Sequence, residues 1–487
     1  MNSSIVRLYV LVLALFITVV GFTSYWAIFD ADELRGRSDN RRSLIEAQKV
    51  PRGTITTVDG TEVAVSVPRG SGNQRIFVRE YPQGELFGHP VGYSFIEFGS
   101  TEIERSENDT LIGRDNEFVS ILEQLEGQVD EGSDLTVTLD AEAQQIARDG
   151  IENALSIPGT GGALVAIEPD TGAVRVMVSE PGYDPNLVPD DFKELNKDDE
   201  NDPLVNRPTQ SVYPPGSTMK VVTATAALDS GEFETSTTLN ADSGIDISGV
   251  PLANAGGEDF GTIDMTDALT NSVNTYWAQV GEQLGTETMV EYMERFGFYS
   301  DPPLDFPSDE LAPSGPINSG GELVREGFDV GRVAIGQGGA EGQDLTTPLQ
   351  MAMVASAVAN GGTLMEPTFI QEVTDPDGRT TQELDPDESS QVMSDETAAE
   401  VAEMMTNVAE EGTASGLSVA GATLAGKTGT AEIDVEASLN QPWFIGFAPA
   451  DDPQIAVAAT IERCTGCFGG DTAGPIATAV MGSLLAE

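Results

Sequence analysis

From Leu8 to Phe29 the chain carries no charged position, and it then turns abruptly polar. At about 1.5 Å per residue, that uncharged run can cross a ~30 Å hydrocarbon layer. Tyr25 and Trp26 fall where an interfacial aromatic belt would lie. A cleaved signal peptide would have a shorter apolar region followed by small residues. This one ends in Trp26, Ile28 and Phe29, so a retained transmembrane anchor over residues 1–29 is expected. A polar stretch around Ala31–Gln48 follows with helical character. Pro51–Ala64 then reads as strand, Asp59-Gly60 turn and strand. The Gly- and Glu-rich residues to about Gly132 suggest a small extended module, 30–133.

The pattern changes near Asp134. Leu135–Leu139 alternates as a strand, Ala141–Leu155 has helical spacing, and Gly162–Ile167 with Ala173–Val178 forms a hairpin around Glu168–Gly172. Helical patterns dominate from about Lys220 to Tyr299 and from Pro348 to Ala359. Strands return at Leu424–Ile433, Trp443–Phe447 and Ile455–Glu462, and a last helix covers Pro475–Leu485. Helices at both ends with hairpins between them predict an α+β domain over 134–487, an antiparallel sheet flanked by helices. The acidic patch Asp198–Asp202 reads as a solvated loop.

Composition narrows the chemistry. Of 487 residues 39% are hydrophobic, and 80 acidic against 24 basic side chains give a formal charge of −56. Such a surface repels nucleic acid and anionic lipid, and its plainest cause is adaptation to salt or an unusual medium. Only five lysines remain: Lys49, Lys193, Lys197, Lys220 and Lys427. His89 is the sole histidine, in the loop-like stretch Leu86–Pro90, and is read as structural. One histidine excludes a three-His zinc site, and any Ser-His-Asp triad would depend on it. Cys464-Thr-Gly-Cys467 lacks further zinc ligands. A small local disulfide is the first expectation there, and two free thiols the alternative. No metal and no cofactor are expected.

The central observation is Tyr213-Pro-Pro-Gly-Ser217-Thr-Met-Lys220. Pro-Pro-Gly breaks structure, and Ser217 then opens an apolar helix in N-cap or first-turn position. Lys220 lies one turn along the same face, within reach of the hydroxyl. A serine attacks only when a base takes its proton, and lysine can do so where burial or a nearby cation lowers its pKa. Ser-x-x-Lys occurs once in this chain; alone, it equally describes an ordinary capped helix. Lys427-Thr428-Gly429-Thr430, on a strand, offers a cation and two hydroxyls to a carboxylate, and Gly429 would let a ligand approach the backbone. Ser272-Val273-Asn274 is weak alone, since Ser71-Gly-Asn73 and Ser106-Glu-Asn108 fit the same pattern. Its place between the other two motifs raises it.

Together these resemble the penicillin-binding proteins and serine β-lactamases, whose signature is Ser-x-x-Lys, Ser-x-Asn and Lys-Thr-Gly in this order. Ala334-Ile-Gly-Gln337-Gly, Thr347-Pro-Leu-Gln-Met351, Ala359-Asn-Gly-Gly362 and Trp443–Pro449 look like further parts of such transpeptidases. So do Ser179–Asn186 and Asn206-Arg207. Arg52-Gly53, Asp59-Gly60, Tyr81-Pro82 and Val91-Gly92-Tyr93 resemble the pedestal of the class B enzymes, with the short actinobacterial type nearest. The chain departs at Thr57-Val58, where that pedestal usually carries an acidic-basic pair.

The resemblance implies a D,D-transpeptidase that crosslinks peptidoglycan stem peptides and is acylated by β-lactams. It makes Ser217 the nucleophile, Lys220 its base and Ser272 a proton shuttle helped by Lys427. Asn274 would hold the peptide backbone, Thr428 and Thr430 the terminal carboxylate, and the N–H groups of Ser217 and Thr430 the oxyanion. A membrane glycosyltransferase of the division or elongation machinery is the implied protein partner. This chemistry places the catalytic domain outside the membrane. Arg7 before the span and Arg35, Arg37, Arg41 and Arg42 after it would by themselves favour the reverse. A β-lactamase would lack anchor and pedestal and needs a deacylating carboxylate that Glu194-Leu-Asn196 does not match. A carboxypeptidase differs only in the acceptor. The intact motif set argues against a non-catalytic scaffold.

Overall fold

The computed structural model describes residues 3–28, 50–71, 75–113, 131–155, 161–198, 201–339, 342–434 and 437–486. In chain order the principal elements begin with helix α1 (Ser3–Ile28), strands β1 (Ile55–Thr57), β2 (Glu62–Arg69) and β3 (Ile76–Glu80), and the short helix α2 (Gly88–Val91). Next come β4 (Asp134–Val137), α3 (Ala141–Ala154), β5 (Gly162–Ile167), β6 (Val174–Glu180), α4 (Lys220–Asp229), α5 (Asn274–Arg295) and α6 (Pro348–Ala359). The chain ends with β7 (Ile370–Thr374), β8 (Thr380–Glu383), α7 (Asp395–Glu410), β9 (Ala425–Asp434), β10 (Leu439–Ala448), β11 (Ile455–Ile461) and α8 (Ala473–Leu484).

Within α1 the stretch Ile5–Trp26 is uncharged but for Arg7, and none of it is buried by the rest of the chain. It is long and apolar enough to cross a bilayer. The polar stretch 31–48 lies outside the described residues, as do 114–130 of the Gly- and Glu-rich module and two residues of the acidic patch.

Two sheets organise the rest. The first, which carries Lys427, runs β9-β10-β11-β5-β6, antiparallel throughout, and Cys464–Thr465 pairs with the start of β10. Every residue of β5 and β11 is buried, which is why both read as continuous apolar runs rather than alternating ones. The second sheet runs β8-β7-β4-β1-β2-β3. Its β1–β4 pairing is parallel, and β4 and β7 come from beyond residue 133, so pedestal strands and later chain share one sheet.

The pedestal is pinned by a buried charge cluster. Glu104 takes Arg52 Nε at 2.6 Å and Arg79 Nε at 2.5 Å, and accepts the Tyr81 hydroxyl at 3.2 Å. Burial raises a carboxyl's pKa, but the two guanidinium groups prevail and hold Glu104 below its ordinary value.

Two expectations need correction. The helical pattern from Lys220 to Tyr299 is interrupted: α4 stops at Asp229, and two small antiparallel pairs occupy residues 239–263. Gly244, Gly249, Gly256, Gly257 and Gly261 there all have positive φ, which a helix cannot accommodate. His89 is not in a loop but on α2, 2% exposed, with its ring edge-on to Tyr183. Burial, then the nearby Arg207 cation, lower its pKa to about 3, so it is a neutral packing residue.

Candidate active site

The approach to Ser217 is held from two sides. Tyr213 exchanges backbone hydrogen bonds with Thr346 at 2.9 and 2.8 Å, and Trp443 Nε1 donates to Pro214 O at 2.9 Å. Gly216 turns with φ 54°, its N–H donating to Gly336 O at 3.0 Å. A Cβ on Gly336, itself at φ 69°, would lie 2.0 Å from Gly216 O. Gly336→Ala is therefore expected to push the Ser217 turn out of place. A shift of about 1 Å can cost roughly 100-fold, to be read as the penicillin acylation rate of folded protein.

Ser217 sits not at a helix N-cap but in the 3-10 turn Gly216–Met219 that runs into α4. In 3-10 geometry residues i and i+3 eclipse, which puts Lys220 directly against the serine. Lys220 Nζ lies 3.0 Å from Ser217 Oγ, and also reaches Ser272 O at 2.7 Å, Ser272 Oγ at 3.3 Å and Asn274 Oδ1 at 2.7 Å. Ser272 takes φ 56°, uncommon outside glycine, and Asn274 begins α5. Asn274 Nδ2 donates to Ala253 O at 3.3 Å, which fixes the way its amide faces.

Lys427, on the edge strand β9, donates to Ser272 Oγ at 2.9 Å and to Thr428 O at 2.9 Å. Ser272 Oγ thus lies between two fully buried lysines, and among the described residues neither has a carboxylate partner. Burial holds Lys220 well below its ordinary pKa, and the Lys427 charge pushes it further. Burial alone brings Lys427 to about 7. Both shifts favour the neutral amine, and the one on Lys220 also draws on a neighbouring charge.

Along β9, side chains alternate faces. Thr428 Oγ1 is 2.6 Å from Thr413 Oγ1, and Thr430 Oγ1 accepts the Gly469 N–H at 3.2 Å. Gly429 is closely approached from within the chain. A Cβ there would lie 2.9 Å from Pro215 O and 3.0 Å from both Thr218 Cγ2 and Trp443 Cβ. The turn carrying Ser217 and the Trp443 side chain thus pack directly against this glycine.

The geometry thus brings together Ser217, Lys220, Ser272, Asn274 and Lys427, with Thr428 and Thr430 adjacent on the same strand. Thr413, Gly336 and the turn after Cys464 were not anticipated. Thr413 carries no recognisable motif, whereas Gly469-Gly470 just after a cysteine pair could have signalled close backbone packing. Cys464 and Cys467 are joined in a disulfide. Among the described residues no three His, Cys, Asp or Glu side chains converge to hold a metal.

A serine held against a depressed lysine, beside an edge strand with a second buried lysine, is the arrangement a serine acyltransferase needs. The chain belongs to the penicillin-binding protein transpeptidase family: residues 162–482 match "Penicillin binding protein transpeptidase domain" and residues 52–135 match "Penicillin binding protein A dimerisation domain". It is 32% identical to the peptidoglycan D,D-transpeptidase PbpA of Mycolicibacterium smegmatis, over all of both chains. It is also 32% identical to PbpA of Mycobacterium tuberculosis, over 100% of this chain and 99% of that one. The penicillin G acyl-enzyme structure of M. tuberculosis penicillin-binding protein A superposes with TM-score 0.78 and 31% identity, covering 90% of this chain and 100% of that one.

Proposed function

We propose that this protein is a D,D-transpeptidase of peptidoglycan, working through an acyl-enzyme on Ser217. The observation that carries this reading is the 3.0 Å contact between Ser217 Oγ and a buried, uncompensated Lys220. Ser217 attacks the carbonyl of the penultimate D-Ala, and its proton passes to neutral Lys220. The C–N bond to the terminal D-Ala breaks, and the leaving nitrogen takes a proton through Ser272 Oγ, which contacts both lysines. An amine of a neighbouring stem peptide then attacks the ester, releases its proton into the same relay and frees Ser217.

Lys427 and the hydroxyls of Thr428 and Thr430 receive the donor carboxylate, and Asn274 holds the peptide backbone. The outer backbone groups of β9, an edge strand, are available to an extended peptide. The N–H groups of Ser217 and Thr430 form the oxyanion hole. β-Lactams, which carry a reactive carbonyl and a carboxylate, acylate the same serine. Residues 1–29 anchor the chain, 30–133 form the pedestal and 134–487 the catalytic domain, which works outside the membrane where its substrate lies. A membrane glycosyltransferase supplies the glycan strands.

The test is mass spectrometry of the soluble part, from about residue 30, after incubation with penicillin. One slowly hydrolysed adduct on the peptide containing Ser217 is expected. Rapid turnover without an adduct would make the protein a hydrolase, and no reaction in folded protein would end the catalytic reading.

A further inference from the structure

The disulfide closes a turn that crosses the proposed carboxylate-binding strand. Cys464–Thr465 pairs with Leu439–Asn440 of β10, Gly466 N–H donates to Ser438 O at 2.9 Å, and Asn440 Nδ2 donates to Cys467 O at 2.9 Å. Two residues beyond Cys467, Gly469 lies on the strand itself. A Cβ there would be 2.1 Å from Trp443 O and 2.5 Å from Gly429 O. The Gly469 N–H points at Thr430 Oγ1, and a Cβ on the next residue, Gly470, would lie 2.8 Å from Thr413 O.

A threonine hydroxyl has one proton to donate and accepts through its lone pairs. With the Gly469 N–H filling an acceptor position, the proton of Thr430 is left for an anion. Gly466, Gly469 and Gly470 lie within five residues, and glycine-rich chain loses the most conformational freedom on ordering. A covalent closure at 464–467 removes part of that freedom before substrate arrives.

We propose that the Cys464–Cys467 disulfide is a positioning device for the donor carboxylate: it holds Gly469 against Thr430 so that the Thr430 hydroxyl is oriented to donate to substrate. The proposal rests on the carboxylate-binding role given to Thr430 above. It predicts redox sensitivity. A dithiol breaks the S–S bond, leaving two thiols and becoming a disulfide itself, and selectivity for carboxylate-ended donors falls.

The experiment compares two acyl thioesters as donors, one whose leaving group ends in a free carboxylate and one ending in the methyl amide. Acylation of wild type, of Cys464→Ser/Cys467→Ser and of folded wild type reduced with a dithiol would be followed as kcat/KM, with thiols counted by mass. The carboxylate-to-amide preference is expected to fall about fivefold to tenfold in both altered proteins, a part of one charge-assisted hydrogen bond. The amide rate should stay unchanged and the loss should appear in KM. Equal losses on both donors, or no loss in reduced protein, would overturn the proposal. The reduction arm needs no variant to fold. Wild type that acylates with neither donor would instead count against the transpeptidase reading.

Discussion

Lys220→Arg is expected to slow acylation of Ser217 by about 10²–10⁴-fold, the usual worth of a positioned general base. Arginine keeps the positive charge and can still donate to Asn274 and to Ser272 O, but it does not deprotonate in a protein. A purely structural cation at this position would survive the exchange, so the variant separates the two roles. Ser217→Ala should give no covalent adduct at all. The pH profile carries a second signature. In the base role proposed for it Lys220 must be neutral, so kcat/KM should rise with pH as its depressed pKa is passed. In the carboxylate-binding role proposed for it Lys427 must be protonated, so the rate should fall again above about 7 in the empty enzyme. In Lys427→Arg the alkaline limb should disappear even if the maximum drops. Penicillin acylation rates measured by stopped-flow across pH check all three. A near-wild-type rate in Lys220→Arg would remove lysine from the base role.

The catalytic sheet was readable because its strands are long and buried. β5, α6 and β11 fall within a residue of their sequence patterns, since continuous apolar runs bounded by turns leave little choice. What escaped has physical causes. The two-residue and three-residue strands of 239–263 are too short to express a period. α7 went unmarked although Ser394 caps it and Asp395 and Glu396 fill its first turn. Strand β4 joins the pedestal sheet by pairing with β1 about 80 residues away, and β7 by pairing with β4 more than 200 residues away, which no local pattern reports.

The site shows the same division. Ser217, Lys220 and Lys427 stood out because this chain has so few lysines. The order of the motifs then singled out Ser272 and Asn274. Gly429 was legible as a glycine needing close approach, but not what approaches it, because the Ser217 turn and Trp443 reach it from other parts of the chain. Thr413 and Gly469 act on Thr428 and Thr430 only through tertiary packing.

Glu104→Gln should destabilise the pedestal by about 3–5 kcal/mol, the usual cost of removing one partner from a buried ion pair. Glu104 is fully buried between Arg52 and Arg79, so neutralising it leaves two guanidinium groups facing each other without a counter-charge. Amides of β1, β2 and β3 should lose hydrogen-exchange protection, while the catalytic sheet keeps its own. Replacing all three members by apolar residues of similar volume should recover much of the loss, because the charges of a buried cluster add little beyond satisfying one another. The pH dependence has a definite sign. The native pKa of Glu104 lies below the ordinary carboxylate value, so its contribution is complete above that value and is lost as pH falls through the native one. Acid should therefore open the pedestal of the wild type, and Glu104→Gln should make pedestal exchange less sensitive to acid. Unchanged protection in Glu104→Gln at neutral pH would mean that β4 and β7, not the charge cluster, hold the pedestal strands to the catalytic domain.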